Sequence, residues 1–254
     1  MAVPQWLDLS AVVVGAFAGV LVGHERKLDL VGFVAMCLIC ALGGGLLRDA
    51  LMQVGEVYAL ESPYAVPLCV ATALVGFLFP TLVMRHPNLY EWVDMVSVAL
   101  FVVAGASKAT AYDLHAHAVV LMGTITGVGG GMLRDVFLGD IPQVFRRSNF
   151  YALCAVVGSA AFYVGDRVLL LDQALTAALT VVIVVAMRRI SLRYDLLSPA
   201  EVNLGPTVRS TGLRMARMMR ERTQVPPRSE GESEPCAQPR PDGAAEPGGR
   251  ESSD

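Results

Sequence analysis

A run of seven residues, Gly43-Gly44-Gly45-Leu46-Leu47-Arg48-Asp49, returns 86 positions later as Gly129-Gly130-Gly131-Met132-Leu133-Arg134-Asp135. The same spacing, without gaps, pairs Trp6 with Trp92, Asp8 with Asp94, Ala18-Gly19 with Ala104-Gly105, Met36 with Met122 and Ile39 with Ile125. So many uncommon residues on one diagonal mark an internal duplication, and a duplicated unit constrains the fold more than any local propensity.

Each copy spans three apolar segments. Segments run at about Leu9–Gly23, Leu28–Leu47, Val66–Met84, Val93–Ala109, His117–Leu133, Phe150–Val164 and Leu169–Met187. They are apolar nearly all round and of roughly bilayer length. The chain is 54% hydrophobic and 17% charged, against roughly 25% charged in soluble chains. A soluble helical domain is the alternative, and the paucity of charge within the segments argues against it. The expectation is an all-α integral membrane protein with seven transmembrane helices, arranged as an inverted 3+3 repeat plus a seventh helix. The inversion follows from parity, because a unit with three crossings hands the second copy to the opposite face. The expected divisions are 1–90 for the first repeat, 91–167 for the second, 168–190 for the seventh helix and 191–254 for a cytoplasmic tail.

Lys and Arg set the orientation. With the connections assigned to alternate sides, one side collects Arg26, Lys27, Arg85, Arg146, Arg147, Arg188, Arg189 and Arg193. The other has little besides Arg48, Lys108 and Arg167. The positive-inside rule places the N-terminus outside and the C-terminus in the cytoplasm. Ala16-Phe17-Ala18 looks like a signal-peptidase site, but no positive charge precedes it and the segment has a counterpart in the second copy. A retained helix is expected. In the tail, Thr207 to Arg222 places five arginines among Leu213, Met215, Met218 and Met219. That suits either a basic amphipathic helix on anionic lipid or a charged disordered segment. Pro, Gly, Ser and Glu dominate after Val225, a composition of disorder.

The glycine triplets carry the functional expectation. Glycine costs roughly 1 kcal/mol against alanine within a helix, so Gly43, Gly44, Gly45, Gly129, Gly130 and Gly131 are expected to break or kink their helices. Backbone freed in this way must be buried or line a watery cavity. Close helix packing through small residues is the alternative. Neighbours on a helix point apart, so Arg48, Asp49, Arg134 and Asp135 are expected to pair elsewhere or line a pathway; capping helix ends at the interface is the alternative. Lys108 stands where the first copy has Val22, which makes it a candidate gate charge or an interfacial anchor. His115 and His117 read as connection residues. Cys37 and Cys40 form a Cys-x-x-Cys, read as two small apolar side chains on one helix face. No nucleophile–base pair or metal spacing stands out, so no enzyme, cofactor or metal site is expected, and no nucleic-acid partner.

The doubled Gly-Gly-Gly-x-x-Arg-Asp on a three-plus-three-plus-one plan resembles the bacterial membrane family built from a paired glycine transporter domain. These are prokaryotic relatives of the trimeric intracellular cation (TRIC) channels. The resemblance covers about Gln5 to Arg189. It implies a plasma-membrane homotrimer with a separate pore in each protomer, and glycine breaks in helices two and five beside that pore. Two functions follow as expectations: a channel for monovalent cations, chiefly potassium, or a carrier for glycine or another small amino acid. A structural scaffold is the third class.

Overall fold

The computed structural model describes residues 5–80, 89–145 and 150–194. Arg85, Arg146, Arg147 and the tail from residue 195 on, with its basic stretch, lie outside the described residues. The described chain is helical: α1 (Gln5–Glu25), α2 (Leu30–Met52), a one-turn α3 (Tyr58–Glu61), α4 (Ala65–Leu78), α5 (Leu89–Ala111), α6 (Ala116–Phe137), α7 (Tyr151–Tyr163, continuing as a π turn over Val164–Val168) and α8 (Gln173–Arg193). Caps fix several ends. Asp29 accepts from the Gly32 amide at the start of α2, and Gln53 closes that helix in the left-handed region, φ 49°. Asp172 accepts from the Ala174 amide at the start of α8.

Among the described residues, five helices are long and apolar enough to cross a membrane by themselves: α1 from Leu7, α2, α5, α6 and α8. α4 has 14 residues and α7 has 13 before its π turn. Large apolar side chains such as Leu51, Leu121, Leu153, Leu175, Leu179 and Val182 point outward. This suits hydrocarbon surroundings, whereas water would penalise each of them. α3 was not expected from the sequence.

Four helices make the centre: α1 packs on α2, α5 on α6, α1 on α5, and α2 on α6. α4 covers α1 and α2, α7 covers α5 and α6, and α8 packs on α5 and α7. Glycines let these helices approach closely. A methyl group added at Gly19 would lie 2.6 Å from the Cys37 Cα, one at Gly23 2.5 Å from the Phe33 ring, and one at Gly15 3.0 Å from the Ala41 Cα. Gly15, Gly19 and Gly23, spaced by four on α1, are therefore used for packing inside the protomer.

The expected helix breaks are absent. α2 runs unbroken through Gly43, Gly44 and Gly45, and α6 through Gly129, Gly130 and Gly131. The triplets meet each other instead. A methyl group at Gly44 would collide with the Thr126 carbonyl oxygen, and one at Gly130 would lie 2.8 Å from the Cys40 carbonyl oxygen. Gly43 faces Leu133 and Gly129 faces Leu47. As one helix ascends in number the other descends, so α2 and α6 cross antiparallel. The propensity argument failed because backbone-to-backbone packing compensates for what glycine loses in helix entropy. Gly45 differs, with nothing within 4 Å of an added methyl group.

Candidate functional site: two buried ion clusters and their voids

Arg48 lies one turn beyond Gly44, and Arg134 one turn beyond Gly130. Four residues at 1.5 Å rise put each guanidinium-bearing residue about 6 Å past the crossing, towards opposite ends of the antiparallel pair. Both arginines are buried, as are Asp49, Asp135, Asp8, Asp94 and Lys108.

The first cluster gathers at the end of α2. Arg48 Nε donates to Asp49 Oδ1 at 2.7 Å, and its Nη2 to Asp49 Oδ2 at 3.3 Å. Arg48 Nη1 lies 3.5 Å from Asp8 Oδ1 on α1 and donates to the Ala104 carbonyl at 3.4 Å. Lys108, from α5, donates to Asp49 Oδ1 at 2.8 Å and to the Glu56 carbonyl at 2.9 Å. The Tyr58 amide completes the set, donating to Asp49 Oδ2 at 2.9 Å. An ion in such surroundings costs several kcal/mol unless it is paired and hydrogen-bonded. Here each charge has partners.

The second cluster repeats the pattern at the end of α6. Arg134 Nε donates to Asp135 Oδ1 at 2.8 Å, and Arg134 Nη1 to Asp94 Oδ1 on α5 at 3.3 Å. The Gln143 amide donates to Asp135 Oδ2 at 3.0 Å. In place of a lysine, aromatic rings gather. The Arg134 guanidinium lies 5.6 Å from the Tyr90 ring, and Arg188 stacks 4.8 Å over Tyr151.

Two expectations need correction. Arg48 and Asp49 pair with each other, as do Arg134 and Asp135, although they are sequence neighbours. The rule that neighbours point apart describes Cβ directions, and arginine is long enough to fold back to the adjacent carboxylate. Lys108 is no interfacial anchor: it is buried and joins the second copy to Asp49 of the first. Cys37 and Cys40 are buried free thiols on α2. His115 precedes α6 and stacks on His117, at 5.7 Å.

Asp8 and Asp94 were missed as site residues. Their signal was present: a carboxylate at the head of each of two apolar segments, 86 positions apart. Phe101, Tyr58 and Tyr151 had no such mark. Each cluster borders a small void, about 10 Å³ for the centre of a water-sized sphere, room for about one water molecule. Asp8, Arg48 and Tyr58 wall the first void. Asp94, Ser97, Gly131, Arg134 and Tyr151 wall the second.

The family model described as "Glycine transporter" matches this chain twice, over residues 5–81 and 91–167. A UPF0126 membrane protein of Deinococcus radiodurans is 33% identical over 161 residues, 63% of this chain and 74% of that one. The UPF0126 inner membrane protein YadS of Escherichia coli K12 is 28% identical over 198 residues, 76% of this chain and 94% of its own. Among solved structures, the TRIC trimeric intracellular cation channel orthologue from Rhodobacter sphaeroides matches with a TM-score of 0.69 at 28% identity, covering 76% of this chain and 98% of that one. A prokaryotic TRIC channel determined in 0.5 M KCl matches at 0.67 and 26%, covering 75% and 96%. The two curated relatives are described as membrane proteins, and the two solved structures as TRIC channels. With one family model matched once in each copy, this multi-pass membrane chain belongs to the bacterial glycine transporter domain family, the prokaryotic relatives of the TRIC channels.

Proposed function

We propose that this protein is a channel for monovalent cations, chiefly potassium, with a pathway inside each protomer. The pathway runs among α1, α2, α5 and α6, past the glycine crossing, from the Asp8–Arg48 cluster to the Asp94–Arg134 cluster. One observation carries the reading: two charged, hydrogen-bonded clusters lie buried at opposite ends of the central helices, each beside a void of water size. A core built only for packing gains nothing from such charges, which are more often replaceable by apolar side chains without loss. In a membrane they mark ion or substrate routes. The likeness to a solved cation channel orthologue at 28% identity, covering 98% of that chain, supports the class.

The wider architecture belongs to the same proposal: seven spans, an inverted 3+3 repeat, a homotrimer, and a cytoplasmic C-terminus. The Arg26–Asp140 ion pair supports the alternation of sides, since it joins the α1–α2 connection to the α6–α7 connection. Asp49 and Asp135 would then sit beside the route as fixed charges, and Gly44 and Gly130 would hold its two halves together.

The description of the family model keeps a second reading, a carrier for glycine, in view. Voids of this size hold no amino acid in the present conformation. Recording single-channel potassium currents and glycine counterflow on one reconstituted preparation tests both. Resolved currents without counterflow are expected; saturable glycine counterflow without currents would replace the channel with the carrier.

A further inference from the structure

Phe101 is common to the walls of both voids, and among the described residues no other side chain is. It lies on α5 and is 6% exposed. It lines the void with Asp8 and Arg48 and also the void with Asp94 and Arg134. Both voids are otherwise equipped for water. In the second void the Tyr151 hydroxyl is buried without a hydrogen-bond partner, a condition that one water molecule would relieve; in the first, the Asp8 carboxylate and the Arg48 guanidinium supply polar wall. The wall that the two voids share is a benzene ring, which has no oxygen to replace the hydration of an ion. The ring also has little room on the α1 side, where a methyl group added at Gly15 would lie 2.9 Å from its Cε2.

We propose that Phe101 is the gate of the pathway: an apolar septum that keeps the two voids from joining, so that conduction requires the ring to leave the space beside Gly15. The inference rests on the channel reading above and adds to it which residue holds the route shut, and how. A constriction of this kind closes by dewetting, because a narrow apolar passage excludes the water an ion needs. The barrier then depends on the polarity of residue 101 more than on its bulk. Leucine and asparagine separate the two properties, being nearly alike in shape and opposite in polarity.

The experiment measures potassium efflux from vesicles of the full-length protein, with single-channel open probability alongside, for wild type, Phe101→Leu and Phe101→Asn. Phe101→Asn is expected to raise resting flux roughly tenfold or more over Phe101→Leu, as lowering a barrier by about 1.4 kcal/mol would do. Equal flux in the two variants overturns the gate, and the channel reading survives if wild type still conducts. Potassium flux absent from every variant, with glycine counterflow present, overturns both. Should the Asn chain fail to assemble, Phe101→Tyr keeps the ring and adds one hydroxyl. Raised resting flux in that variant supports the gate, and unchanged flux overturns it.

Discussion

The two ion clusters are the same device completed in different ways. In each, an arginine one turn past a glycine crossing folds back on the next carboxylate and reaches an aspartate on a neighbouring helix, and a backbone amide beyond the helix end closes the second carboxylate oxygen. The arginine, the adjacent carboxylate and the aspartate come from equivalent positions of the two copies, and the closing amides, Tyr58 and Gln143, from positions one residue out of step. What differs is the outer flank. The Arg48 cluster takes a lysine from the other copy, Lys108, onto Asp49. The Arg134 cluster has Val22 at the equivalent position and is flanked by Tyr90, Tyr151 and Arg188. The shared part keeps buried charge satisfied. The unshared part was free to diverge, and it gives the two clusters different chemistry: a hydrogen-bonded ammonium on one, aromatic rings on the other.

The largest effects should come from removing an arginine. Arg134→Ala leaves Asp94 and Asp135 buried without the guanidinium that serves both, a loss of about 3–5 kcal/mol. Arg48→Ala should be milder within that range, because Lys108 still faces Asp49. Thermal unfolding of the detergent-solubilised protein measures both, and identical losses would mean that the lysine gives Asp49 no support. Next comes the lysine itself. A double-mutant cycle between Lys108→Met and Asp49→Asn should show coupling of about 1.5–3 kcal/mol, typical of a charged hydrogen bond. The same cycle against Asp135→Asn should be additive within about 0.5 kcal/mol. Coupling to Asp135 would show that the clusters communicate and would undo their separation.

The crossing between the clusters should respond more weakly and with a definite order. Gly44→Ala and Gly130→Ala force a methyl group against a carbonyl oxygen of the facing helix and should destabilise by about 1–3 kcal/mol. Gly45→Ala meets open space and should be neutral or stabilising by up to about 1 kcal/mol. If all three behave alike, packing does not explain the triplet. Smallest is the exposed Arg26–Asp140 pair, whose loss in Arg26→Ala should shift stability within about 1 kcal/mol. A larger shift would make that connection part of the ion machinery.

The duplication, the helical segments, and the identity of Arg48, Asp49, Arg134 and Asp135 as unusual residues were legible in the sequence, because charge in apolar surroundings and self-similarity are both visible one residue at a time. Pairing was not. Whether Arg48 meets Asp49, Asp8 or the other copy depends on helix crossing, which only Gly44 and Gly130 in contact determine. For the same reason glycine propensity misled: it reports what a helix loses in isolation, and the crossing supplies a compensation from a partner 86 positions away. Phe101 was invisible because one phenylalanine among many apolar residues has no signature until two voids share its ring.

Gly15 and Phe101 are themselves equivalent positions of the two copies, 86 apart, and they touch. Two separate polypeptides of a single copy would have to carry the same residue at both. Two glycines would leave the middle of the assembly hollow, and two phenylalanines would compete for one space. Copies that have diverged can set a glycine opposite a phenylalanine where identical copies cannot, so divergence of the repeats after duplication is what permits one ring, and not two or none, in that space.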